Sequence, residues 1–176
     1  MTKQRQIIRL SIIIISAIAL FFGGRELYYF RSIQRYPLVV EMDWPTLVKE
    51  ADVIIRGTVE KSIGTSRYTD DSDELTVATR WKINVTESIK GDAPTLLIVR
   101  TLGGRYGLTE FWAEDEATFT PGEEVLLYLD RDADGADYRV VGMFQGHFTV
   151  RGEKLIQQET GTKQPLKEVQ NFTQVE

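Results

Sequence analysis

The clearest periodicity in the chain runs from Leu75 to Lys90. Leu75, Val77, Trp81, Ile83, Val85 and Ile89 share one side of it, and Thr76, Arg80, Lys82, Asn84, Thr86 and Ser88 share the other. Alternation with a period of two marks a half-buried strand. A strand this long must bend, as strands do around a small barrel. Val53 to Ile63 repeats the pattern, with Val53, Ile55, Val59 and Ile63 at odd positions and Arg56, Thr58, Glu60 and Ser62 at even ones. Residues 64–74 hold Gly, Ser, Thr and four acidic residues (Asp70, Asp71, Asp73, Glu74), which predicts a loop. Thr95 to Leu102 is apolar on both faces and predicts a central strand.

Further on, Thr120-Pro121-Gly122-Glu123 predicts a turn, followed by a buried strand from Glu124 to Asp130. Asp130 to Asp137 then turns the chain, and Tyr138 to Met143 returns as the hairpin partner. Phe144 to His147 reads as a bulge. A last hairpin, 148–151 with 154–156, turns at Gly152-Glu153. Residues 105–118 are split between a short strand and a barrel cap built on Phe111 and Trp112. From Gln157 the tail is polar and predicts loose order. One helix is expected, at 44–51. Asp43 can cap it, Pro45 sits where a missing N–H costs nothing, and Trp44, Leu47 and Val48 fall on one side. Five or six strands with one short helix predict a mainly β fold, an OB-like closed antiparallel Greek-key barrel. A two-sheet β-sandwich is the alternative.

The N-terminal pattern is different. Leu10 to Gly24 carries no charge, and Ile7 and Ile8 extend the run past Arg9. The resulting stretch of about 18 residues reaches the lower range of a bilayer-spanning helix. In lipid, a helix satisfies the backbone despite the β-branched isoleucines. Three readings compete: an uncleaved single transmembrane helix, a cleaved signal with small residues at Ala17 and Ala19, and a buried soluble helix. Cleavage there would leave Phe21 and Phe22 on the mature chain, which favours the anchor. Basic residues flank the run on both sides (Lys3, Arg5 and Arg9 before it; Arg25, Arg31 and Arg35 after it), so charge alone orients it weakly. A single span ahead of a β-domain favours export of that domain. Tyr28, Tyr29, Phe30 and Tyr36 suit an interfacial aromatic belt. The expected organisation is a membrane anchor or signal over 1–24, a juxtamembrane linker over 25–42, a β-domain over 43–156 and a polar tail over 157–176.

Composition narrows the function. There is no cysteine, which removes thiol catalysis, disulfides and cysteine-ligated zinc. Beyond the apolar run the chain carries 18 basic and 26 acidic residues, so long-range repulsion argues against nucleic acid as a partner.

The stretches ADVIIRGTVEK, TRWKINVTESIKG, TLLIVRTLGG, FTPGEEVLLYLDRD and YRVVGMFQGHFTV together resemble a recurrent OB-type β-barrel module of bacterial exported proteins. That module is in turn similar to the tissue-inhibitor-of-metalloproteinase and netrin class. The resemblance covers residues 47–151, with Ile89-Lys90-Gly91 and Gly122-Glu123-Glu124 as its most specific pieces. It implies a fold and a binding or interaction module, and no catalytic residue. The inhibitors of that class act through an N-terminal cysteine, which this chain lacks, so their mechanism does not carry over.

Candidate chemistry is sparse. Asp130, Asp132, Asp134 and Asp137, with Gly135, match the first half of a calcium loop. Position twelve of that pattern is Val141 instead of a bidentate glutamate, and a solvated hairpin turn explains the same residues. His147 is the single histidine, and no Gly-x-Ser-x-Gly elbow accompanies it. Gly103-Gly104-Arg105-Tyr106-Gly107 lacks the Gly-Lys-Ser/Thr of a phosphate loop and reads as a turn. Tyr106, Phe111 and Trp112 can form a stacking surface for a ligand or partner. Trp81 is in register with the core. The expectation is a non-enzymatic, membrane-tethered, extracytoplasmic β-domain with a protein or envelope partner. A calcium- or carbohydrate-binding module is the alternative.

Overall fold

The computed structural model describes residues 33–35, 40–69, 75–107, 109–132, 135–158, 160–166 and 169. The expected anchor over 1–24 lies outside them, and among the described residues no helix is long and apolar enough to cross a membrane. Strand β1 (Ile33–Arg35) falls within what composition suggested was linker. Helix α1 (Trp44–Glu50) forms as expected. The Asp43 carboxylate accepts from the Thr46 N–H at 3.1 Å, Pro45 sits in the first turn, and Leu47 and Val48 are buried.

Two long strands follow, β2 (Val53–Thr69) and β3 (Leu75–Lys90), paired antiparallel over nearly their whole length. The sequence placed a loop from residue 64, yet Thr65 to Thr69 pair with Thr79 to Leu75. The polar composition there belongs to the outer half of β2, whose residues 61–67 are exposed or half-buried, while Thr76, Val77 and Ala78 on the paired stretch of β3 are buried. The inward alternation of β2 also ends earlier than expected. The register shifts between Val59 and Lys61, so Ile63 is 44% exposed and not a core residue. Shifts between Ile54 and Ile55 and between Arg56 and Gly57 likewise separate Ile89 from Ile83 and Val85, and Ile89 packs in a different cluster.

The remaining strands are β4 (Leu96–Leu102), β5 (Gly104–Tyr106), β6 (Thr109–Ala113), β7 (Glu124–Arg131), β8 (Tyr138–Val140), β9 (His147–Arg151), β10 (Lys154–Gln157) and β11 (Lys163–Pro165). β2, β3 and β4 form an antiparallel meander. β7 returns beside β2, and β8 pairs antiparallel with β7 and parallel with β4 through Val99 and Tyr138. The pairings thus close a ring in the order β2-β3-β4-β8-β7 and back to β2. β9, β10 and β11 extend the sheet outward from β7, and β1, β6 and β5 make a separate three-stranded sheet.

One core fills the ring. Val53, Ile55, Val59, Ile83, Leu97, Val99, Val125, Leu127 and Leu129 point into it, joined by Ala117 and Phe119 from the segment after β6. Trp81 packs against it as expected, its ring 5.7 Å from Phe119 and its Nε1–H donating to Thr101 Oγ1. A second core lies on the other side of β7 under α1. It holds Leu47, Val48, Ile54, Leu126, Tyr128, Phe148, Val150 and Leu155. β7 is therefore buried on both faces. β4, expected to be, buries only Leu97, Val99 and Thr101, and Leu96 is exposed. The described part of the tail is ordered, contrary to expectation. β11 pairs with β10, and Leu166 and Val169 are buried in the second core. Two apolar residues three apart are too weak a signal to stand out from so polar a stretch. Residues 143–146 form a 3₁₀ turn where a bulge was expected.

Candidate functional site

The acidic turn after β7 is where sequence placed its best candidate, and the strands beneath it decide its chemistry. Arg80 on β3 and Arg100 on β4 are register partners, and Arg139 lies on β8, which pairs with β4 one residue away. Three guanidinium groups are therefore side by side across three strands. Neighbouring like charges destabilise a sheet unless they are compensated. The aspartates of the turn compensate them. Arg80 Nη2 lies 2.6 Å from Asp137 Oδ1, Arg100 Nη2 lies 2.6 Å from Asp132 Oδ2, and Arg139 Nη2 donates to Asp130 Oδ2 at 2.9 Å. Arg139 Nε reaches Asp132 as well, at 3.2 Å. The turn is fixed by the Gly135 N–H donating to the Asp132 carbonyl and the Asp132 N–H donating to the Asp137 carbonyl. Carboxylates at alternate positions, read as cation ligands, thus face guanidinium groups. Among the described residues no cluster of three acidic or histidine side chains is placed to hold a metal, and Asp134 lies outside them.

Beside this row a cleft of about 580 Å³ opens on the outer face of β4 and β8. Its charged walls are Glu50, Arg100, Glu116, Asp130 and Arg139. Its apolar walls are Met42, Leu102, Val140, Val141 and Met143. Two features give it a built character. The first is Gln145, buried in the 3₁₀ turn. Its Oε1 accepts from the Met42 N–H at 2.7 Å and its Nε2 donates to the Val40 carbonyl at 2.9 Å, which holds Met42 at the cleft wall. The second is Met143, the one described non-glycine residue with positive φ, at 60°. A left-handed conformation costs an L-residue roughly 1–2 kcal/mol, and such strain concentrates at functional positions.

Glu116 is the functional candidate that sequence reasoning missed. Burial pushes its carboxyl up to about 7, against opposing hydrogen bonds from the Leu102 and Ala117 backbone N–H groups and the pull of Arg139. It lies in the 105–118 stretch, where no periodicity could be read. The only signal was indirect: Ala117 and Phe119 turn into the ring core, so the chain before them must cross its rim.

The three aromatic residues expected to share a surface are divided. Phe111 is 3% exposed, held on the inner face of the small sheet, and Tyr106 shares that face by register. Tyr106 is exposed at its edge with the Arg67 guanidinium 5.9 Å from its ring centre. Trp112 points the opposite way. His147 is buried in the core, its Nδ1 2.7 Å from Gln158 Oε1 and its ring edge-on to Phe119. Burial lowers its proton affinity, against the Gln158 hydrogen bond and the Glu123 charge, and so favours the neutral ring. No protein-family model matches the chain, and no curated protein matches it.

Proposed function

We propose that the chain is a membrane-tethered, extracytoplasmic OB-type module that binds a segment of a partner protein or envelope component in the cleft on the outer face of β4 and β8. The ring of strands β2-β3-β4-β8-β7, with its parallel contact between β4 and β8, supports a five-stranded Greek-key barrel of that type. The observation that carries the binding reading is the cleft itself: two methionines, one clamped by Gln145 and one on a strained backbone, face a row of compensated charges. Methionine adapts to apolar partners, and paired arginines confer orientation more than affinity. The uncharged run over 10–24 supports the tether.

The test is a photo-crosslinking residue in place of Met143 in the full chain in its native membranes, with a second version at Lys154 on β10, outside the cleft. A discrete adduct from position 143, absent from 154 and abolished by Arg139→Glu, is the expected result. The same adducts from both positions would refute the assignment. Glu116 favours one second reading, acid catalysis, because a carboxyl protonated near neutrality suits a general acid. That reading requires turnover of some substrate that Glu116→Gln abolishes without weakening its binding.

A further inference from the structure

The small sheet β1-β6-β5 adds little to either core, and its two faces have different fates. The inner face is pinned to the β2–β3 ribbon. Thr65 Oγ1 donates to the Arg105 carbonyl at 2.6 Å, Thr79 Oγ1 donates to the Gly103 carbonyl at 2.8 Å, and a side chain at Gly104 would collide with both threonines. The outer face carries Trp112, 59% exposed, with Arg105 and Glu110 on the same side by register. An indole left in water forfeits the burial its large apolar surface offers. It is the side chain that settles best at a boundary between hydrocarbon and water.

β1 decides what lies against that face. It pairs parallel to β6, with Ile33, Gln34 and Arg35 opposite Phe111, Trp112 and Ala113. Eight residues separate Ile33 from Gly24, where the uncharged run ends. Fully extended, that stretch reaches about 30 Å, and a helical path reaches about 13 Å. The register therefore fixes Trp112 within a short reach of the end of the apolar run. The intervening residues include Arg25, Tyr28, Tyr29, Phe30 and Arg31 against one acidic residue, Glu26. Aromatic and basic residues together are the composition of a headgroup-level segment.

We infer that the outer face of this sheet, centred on Trp112, rests on the headgroup layer of the same bilayer that holds the N-terminal run. This second contact rests on the tether proposed above, and it fixes the orientation of the barrel so that the β4–β8 cleft has a set height above the membrane.

The full chain is reconstituted into vesicles of phosphatidylcholine and phosphatidylglycerol, with and without bromine on the acyl chains, and floated on a density gradient before its tryptophan emission is read. Brominated lipid is expected to quench the wild-type protein, and Trp112→Phe is expected to lose that quenching while it still floats and keeps its melting temperature. If the protein floats and the two forms are quenched alike, the sheet does not lie on lipid and the tether stands. If the protein does not float, the tether and the sheet contact fall together.

Discussion

At Glu116, burial outweighs the two backbone donors and Arg139, and the folded chain holds a proton that the unfolded chain has already released. Because the folded-state value of about 7 lies above the ordinary 4.5, this residue favours folding fully below pH 4.5. That contribution is lost as pH rises through 7, on the order of 3 kcal/mol at most. Glu116→Gln keeps the acceptor oxygen and removes the ionisation. It should raise the melting temperature at pH 8 and leave it nearly unchanged at pH 4, which thermal unfolding monitored by circular dichroism would check. His147 acts in the opposite sense. Its proton affinity is lowered by burial, so its contribution is present above the ordinary histidine range and is lost on acidification. Met143→Gly separates strain from function at one position. Relief of the left-handed backbone, about 1 kcal/mol, should offset the lost side chain, so chemical denaturation should show unchanged stability while partner crosslinking from a photo-reactive residue at Glu50, on the cleft wall, falls. Neither Glu116 nor Gln145 was legible in the sequence. Both matter through what the fold brings to them, a rim crossing in one case and a segment over 100 residues away in the other.

Among the elements, the strongly patterned ones were legible and the weakly patterned ones were not. α1, β3, β7 and the hairpin of β9 and β10 follow from capping, alternation and turn residues. β1, the outer half of β2, and β11 escaped because they are short or polar and leave no apolar period of their own to read. β4 is a central strand as its pattern predicts, between β3 and β8, but its second face is only half-buried, because the second core is set by where α1 and β9 lie. The 3₁₀ turn tolerates no added side chain at its end. A Cβ on Gly146 would sit 2.5 Å from the Val141 carbonyl oxygen and 3.1 Å from that of Tyr128. Gly146→Ala should cost about 2 kcal/mol by forced backbone displacement, read as a fall in the denaturant midpoint. Gln145→Leu should destabilise by about 2 kcal/mol through the orphaned Met42 and Val40 backbone groups. Proteolysis near residue 40 should accelerate with it.

For the whole molecule, the closed ring removes the free edges of its five strands, and β10 and β11 shield the sheet beyond β7. On the proposals above, the cleft beside the compensated arginine row would face a partner and the outer face of the small sheet would face lipid. The tether is the condition for both roles. Its most direct test is the fate of the full chain produced in bacterial cells, with the membrane fraction washed in alkaline carbonate and spheroplasts treated with external protease. Retention in the carbonate-washed membrane together with digestion of the domain from outside is the outcome a tethered extracytoplasmic module requires. Release into the supernatant, or a domain fully protected until the cells are lysed, would contradict it.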